Sequence, residues 1–136
     1  MADTLQSDEI KFRVRYGETD QMGVVYHGNY AQFFEVGRVE WLRKLGVSYK
    51  EMEQSGIMLP VVTLNISYKK SARYDDIITV KTYLVKLPSV SIEFYYEIFN
   101  QNGELLVTGN TKLAFIDIIR NRPTRCPNYI LDQLQN

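Results

Sequence analysis

Apolar and polar residues alternate with a period of two from Glu9 to Tyr16, EIKFRVRY. Ile10, Phe12, Val14 and Tyr16 fall on one side, and Lys11, Arg13 and Arg15 on the other. That is the pattern of a strand with one buried face. Gly17 ends it, and residues 1–8 read as a loose tail. The period then changes. In Asn29–Leu45, Tyr30, Phe34, Gly37, Trp41 and Leu45 recur at three- and four-residue steps, with Phe33 and Leu42 widening the stripe. This predicts a long helix largely enclosed by protein. Asn29 is placed to cap its start, and Gly46 to end it in a left-handed turn. Gly37 is unexpected on the apolar face, because glycine costs about 0.5–1 kcal/mol relative to alanine in a helix. A close backbone approach to another element would account for it.

A short second helix is predicted over Val47–Ser55, with Ser48 as its cap and Glu51 at the capping-box spacing. Beyond Gly56 the pattern is β. Strands are predicted over Leu59–Tyr74, Ile77–Leu87, Val90–Phe99 and Glu104–Ile119, separated by Asp75-Asp76, Pro88-Ser89 and Asn100–Gly103. In the first of these, Val61, Thr63, Asn65 and Ser67 alternate with Val62, Leu64, Ile66 and Tyr68. Arg120–Pro127 reads as irregular and basic, and Asn128–Asn136 as a terminal helical turn or two. One strand, a long helix, a short helix and four strands in a meander predict an antiparallel sheet covered by one helix. The expected class is α+β, two layers, in a single domain spanning residues 1–136.

Composition narrows the function. Lys and Arg together number 16, as do Asp and Glu, so the formal net charge is zero and no basic excess points to nucleic acid. No apolar run approaches the roughly 20 residues of a membrane helix. The first residues, MADTLQSDEIKF, lack the charged-then-apolar pattern of a signal peptide, so cytoplasmic residence is expected. With one cysteine, Cys126, there is neither an internal disulfide nor a cysteine metal cluster. Cys126 reads as an incidental thiol.

The candidate chemistry lies in DQMGVVYHGNY, Asp20–Tyr30, which holds the single histidine, His27. His27 and Gly28 precede the long helix, whose start carries unpaired amides and about half a positive charge. Gly28 lets a ligand approach the backbone. Two readings fit these residues. In one, Asp20 closes a loop and His27 only caps a helix. Alternatively, Asp20 is a general base or nucleophile, and the helix start stabilises charge developing on a carbonyl oxygen. A Ser-His-Asp triad is not suggested. Lys69, Lys70 and Arg73 form a basic cluster that could meet phosphates or be a solvated strand face. Arg120, Arg122 and Arg125 form a second cluster, read as surface. Glu40 and Lys44 stand at a supporting i,i+4 spacing.

The stretch RYGETDQMGVVYHGNYAQFFEVGRVEWL, Arg15–Leu42, resembles the signature of the 4-hydroxybenzoyl-CoA thioesterase branch of hotdog-fold thioesterases. It looks most like the acyl-CoA thioesterases associated with the Tol-Pal cell-envelope system, and ARYDD at Ala72–Asp76 also fits. The resemblance implies a five-stranded antiparallel sheet wrapped around one long central helix. It implies dimers with sites at the subunit interface, often built into a homotetramer, and hydrolysis of acyl-CoA to free acid and CoA. Asp20 takes the position of the catalytic carboxylate. The His27 backbone N–H takes that of the donor to the thioester oxygen, with the imidazole also involved. Tyr26 would shape the acyl pocket; Lys69 and Arg73 are candidates for the CoA phosphates by residue type, not by the resemblance. The turn Lys86–Ser89 departs from the family in holding a single lysine. No metal or organic cofactor is implied, CoA being part of the substrate, and neither nucleic acid nor membrane insertion is expected. A non-catalytic thioester-binding or scaffold subunit of the cell envelope is the alternative.

Overall fold

A computed structural model describes residues 6–134. In chain order its elements are β1 (Ser7–Arg13), α1 (Tyr30–Leu45), α2 (Tyr49–Gln54), β2 (Ile57–Met58), β3 (Val61–Tyr68), β4 (Ile77–Leu84), β5 (Ser91–Phe99), β6 (Leu105–Ala114), β7 (Ile116–Asp117), β8 (Arg122–Pro123) and α3 (Asn128–Leu134). Short 3-10 turns at Tyr16–Glu18 and His27–Asn29 frame the loop between β1 and α1. β1 begins earlier than its apolar pattern suggests, because Ser7 and Asp8 pair with Tyr83 and Thr82 of β4. The expected tail therefore shortens; residues 1–5 lie outside the described chain. Tyr16 leaves the apolar row for the first 3-10 turn and is 78% exposed.

The main sheet is antiparallel, in the order β1-β4-β5-β6-β3. Only β4, β5 and β6 form the meander, since their connecting turns are too short to reach beyond a neighbour. β3 pairs with β6 at the far edge, so residues 69–76 cross back to β4. β2, β7 and β8 form a small second sheet, which places a strand inside the basic stretch expected to be irregular. α1 packs on β1, β4 and β5 of the main sheet, the hotdog arrangement.

The core is the face this helix covers. Ile78, Val80, Thr82 and Leu84 of β4, and Ile92, Phe94, Tyr96 and Ile98 of β5, point into it at every second residue. Phe34 stacks flat on Tyr96, with centroids 4.3 Å apart, and Trp41 meets Phe94 edge-on at 5.0 Å. Gly37 is the point of closest approach. A Cβ built there would stand 2.9 Å from Val80 Cγ1 and closer still to Thr82 Oγ1. Gly46 ends α1 with φ 97°, as its position predicts, and Ser48 caps α2 by accepting the Glu51 N–H at 3.1 Å. Glu40 pairs with Arg43, and Lys44 reaches Asp8 of β1 instead of Glu40. The helix thus spends that lysine on the sheet rather than on itself. Among the described residues no helix is long and apolar enough to cross a membrane.

Candidate active site

Asp20 sits in a tight loop made by its own backbone and side chain. Its N–H donates to Val24 O at 2.8 Å, and its Oδ1 accepts the Met22 N–H at 2.9 Å. The second bond is a local turn device of aspartate. The chain then runs as an extended segment. Val24 bridges Arg73, and the Val25 N–H donates to Ala72 O at 2.8 Å. The crossover at residues 69–76 is therefore the surface on which the Asp20 loop is laid. Along this segment Val25 is buried, Val24 half-buried and Tyr26 exposed.

A second set of bonds clasps the loop to the start of α1. Glu18 O accepts both the Tyr26 N–H at 2.9 Å and Asn29 Nδ2–H at 2.8 Å. Asn29 is consequently not the expected N-cap. Its backbone is already helical, and its amide is turned back to Glu18. The His27–Asn29 turn extends the helix instead. The N–H groups of His27 and Gly28 have no acceptor among the described residues, so the turn presents two free donors at the positive end of a helix.

His27 is exposed. Its ring lies 4.5 Å from the Tyr26 ring and 6.2 Å, edge-on, from Tyr68. The bare Cα of Gly28 also serves its neighbour. A Cβ there would stand 2.7 Å from Tyr26 Cε2, so the missing side chain makes room for the tyrosine. Asp20, Tyr26, His27 and Gly28 thus share one loop and turn. Arg73 and Lys69 stand on the crossover beside them, exposed, and no ion pair among the described residues uses either. Lys70 is different: it pairs with Glu104 at 2.6 Å.

Beside this turn a groove of about 230 Å³ runs between α1 and β3, lined by Ala31, Gln32, Glu35, Arg38, Val61 and Leu64. The groove exists because β3 is an edge strand. A bulge between Val61 and Thr63 sets Val61 opposite Leu113 and Leu64 opposite Thr111, both on the helix side, where neither is covered. Strict alternation along β3 therefore fails at Val62.

The family-level comparison agrees with this fold. The model of the thioesterase-like superfamily matches residues 14–134. The chain belongs to that superfamily. YneP of Bacillus subtilis, which bears the provisional name acyl-CoA thioesterase, is 40% identical over 107 residues, 79% of this chain and 78% of its own. The acyl-CoA thioesterase YbgC of Haemophilus influenzae is 33% identical over 119 residues, 87% of each chain. The crystal structure of DHNA-CoA thioesterase from Staphylococcus aureus superposes with a TM-score of 0.88 at 44% identity, covering 95% of this chain and 87% of the other.

Two features of this thioesterase-like chain escape its sequence pattern. Arg38 is 6% exposed, inside the apolar face of α1. Its Nε donates to Tyr49 OH at 3.1 Å, and Tyr96 OH, hydrogen-bonded to Thr111 Oγ1 at 2.7 Å, lies nearby. Burial works against the Arg38 charge, but the Tyr96 and Tyr49 oxygens outweigh it and hold the guanidinium above its usual pKa. Burial pushes the Tyr96 phenol up to about 12. Its charge hides it, although its position fits the apolar face, four residues from both Phe34 and Leu42. Tyr68 is the second. Its contact with His27 joins residues 41 positions apart, and no local pattern reports that.

Proposed function

We propose that this protein is an acyl-CoA thioesterase whose chemistry is carried by Asp20 and the His27–Asn29 turn. The observation that carries the reading is the double bond set on Glu18 O. It clasps a carboxylate-bearing loop to a helix start with two unfilled amide donors. A thioester placed there has its carbonyl oxygen at the His27 and Gly28 N–H groups, where charge developing on it is stabilised. The Asp20 carboxylate either attacks the carbonyl carbon or takes a proton from a water that does. The C–S bond breaks, and the sulfur leaves as the CoA thiolate and is then protonated. In the first route, water hydrolyses the resulting mixed anhydride and restores Asp20. Oδ1 is already steadied by the Met22 N–H, so the carboxylate acts through Oδ2. The exposed imidazole of His27 takes part from the same turn.

The acyl group occupies the α1–β3 groove, and the exposed Lys69 and Arg73 meet the CoA phosphates. Val61, Val62, Leu64 and Tyr68 leave the β3 edge apolar and uncovered. A second copy of the chain pairing on that edge closes the groove from outside, giving the homo-oligomer its interface. The likeness to a DHNA-CoA thioesterase makes hydroxylated aromatic acyl groups the first to try.

The test is release of free thiol from aromatic, short-chain and long-chain acyl-CoAs by wild type and Asp20→Asn. Loss of about 10²–10⁴-fold in kcat is expected for the variant. Near-normal turnover by Asp20→Asn would remove Asp20 from the mechanism. Binding of acyl-CoA with no thiol release by either protein would favour a scaffold role.

A further inference from the structure

We propose that Tyr68 is a positioning residue for this reaction: from the sheet edge it holds the His27 turn where its amides can meet the thioester oxygen. The inference rests on the thioesterase reading above.

The helix start needs such support. The His27–Asn29 turn is 3-10, whose hydrogen bonds are poorer than those of an α-helix, and first turns fray. Tyr68 holds it at two points. Its hydroxyl donates to His27 O at 3.2 Å, and that carbonyl also accepts the Tyr30 N–H. Its ring meets the His27 imidazole edge-on at 6.2 Å and the Tyr30 ring at 5.7 Å. One side chain from another element therefore touches both the carbonyl and the ring of His27.

Tyr68 is itself well anchored. It closes β3 opposite Val107, and the next two N–H groups, of Lys69 and Lys70, both donate to Leu106 O at 2.9 and 3.0 Å. Tyr30, the other neighbour, is buried, and its hydroxyl accepts the Ala72 N–H at 3.0 Å. The turn is thus tied to the sheet edge through Tyr68 and to the crossover through Tyr30. Tyr68 is 52% exposed, so burial of its ring is incomplete and the hydroxyl bond is its specific contribution. An oxyanion donor works only when aimed in advance, so loosening this tie lowers the chemical step more than binding.

The experiment compares wild type, Tyr68→Phe, Tyr68→Leu and Asp20→Asn for thiol release from the best acyl-CoA substrate. Thermal midpoint and sedimentation are measured on each protein. Tyr68→Phe removes only the hydroxyl. Its kcat is expected to fall about five- to tenfold, the effect of one lost hydrogen bond in the transition state, with KM within about twofold. Its midpoint and mass stay those of wild type. Tyr68→Leu, which also loses the ring contacts, falls further in kcat. A Tyr68→Phe kcat within about twofold of wild type overturns the proposal. So does a loss confined to KM, or one accompanied by a lower midpoint, which would make the role structural. If wild type turns over and Asp20→Asn does not, a wild-type-like Tyr68→Phe defeats this inference alone. A wild type that releases no thiol defeats the thioesterase reading and this inference with it.

Discussion

Replacing Gly37 with alanine adds one methyl group at the tightest contact between α1 and the sheet. In an exposed helix the change would stabilise the fold by about 1 kcal/mol, because alanine is the better helix former. Here the added Cβ would stand 2.9 Å from Val80 Cγ1 and closer still to Thr82 Oγ1. Val80 and Thr82 are fully buried and β-branched, so neither has a free rotamer into which to retreat. Overpacking of this kind costs about 1–3 kcal/mol and exceeds the propensity gain. The expected net loss is up to about 2 kcal/mol, a urea midpoint lower by up to about 1 M at an m-value of about 2 kcal/mol/M. Gly37→Ala and wild type are compared by urea unfolding at one protomer concentration, since subunit association adds to apparent stability. Thr82→Ala serves as the second variant. Its hydroxyl has no hydrogen-bond partner among the described residues, so deleting it relieves the clash without breaking a bond seen there. The double variant should therefore recover part of the Gly37→Ala loss, a coupling between neighbouring sites. A Gly37→Ala protein more stable than wild type would refute the close-packing argument.

Two further outcomes follow from the same structure. Burial raises the Cys126 thiol from 9.0 to about 12; burial and then Glu97 raise Tyr83, and burial raises Tyr96, both from 10.0 to about 12. Each keeps its proton in the folded chain over a range where the unfolded chain has lost it, so stability declines as pH rises from about 9 towards 12. The urea midpoint should fall across that range, with a later onset in Cys126→Ala, and a midpoint flat over it would contradict the assignment. On the uncovered β3 edge, Val62→Lys sets a charge where a second copy would pair. Sedimentation should show a smaller species and thiol release should drop with it; an unchanged mass would mean that this edge is not the interface.

Much of the fold is legible along the chain because it is local. α1, its glycine stop and the Ser48 cap of α2 follow from residue spacing and backbone preference, and the structure holds them where the pattern puts them. Even Gly37 announces a close approach before any partner is known. The expectations that fail are those in which a distant element wins a group away from its neighbours. Asn29 gives its amide to Glu18 instead of capping α1, and Lys44 goes to Asp8 instead of Glu40. The apolar row of β1 loses Tyr16 to a turn, and Val62 is displaced by a bulge.

The candidate site divides along the same line. Asp20, Tyr26, His27 and Gly28 lie within nine residues of one another, so their grouping needs only a loop and a helix start, and local spacing suffices for it. The crossover from β3 to β4 is decided by the tertiary structure. Periodicity reports which face of a strand is buried, not which strand lies beside it. That crossing lays Ala72 and Arg73 against the Asp20 loop, and it leaves β3 as an open edge from which Tyr68 reaches His27. Each of these contacts joins residues 41 or more positions apart. Their loop-closure cost is repaid only once the sheet has formed, so no local stretch of sequence encodes them.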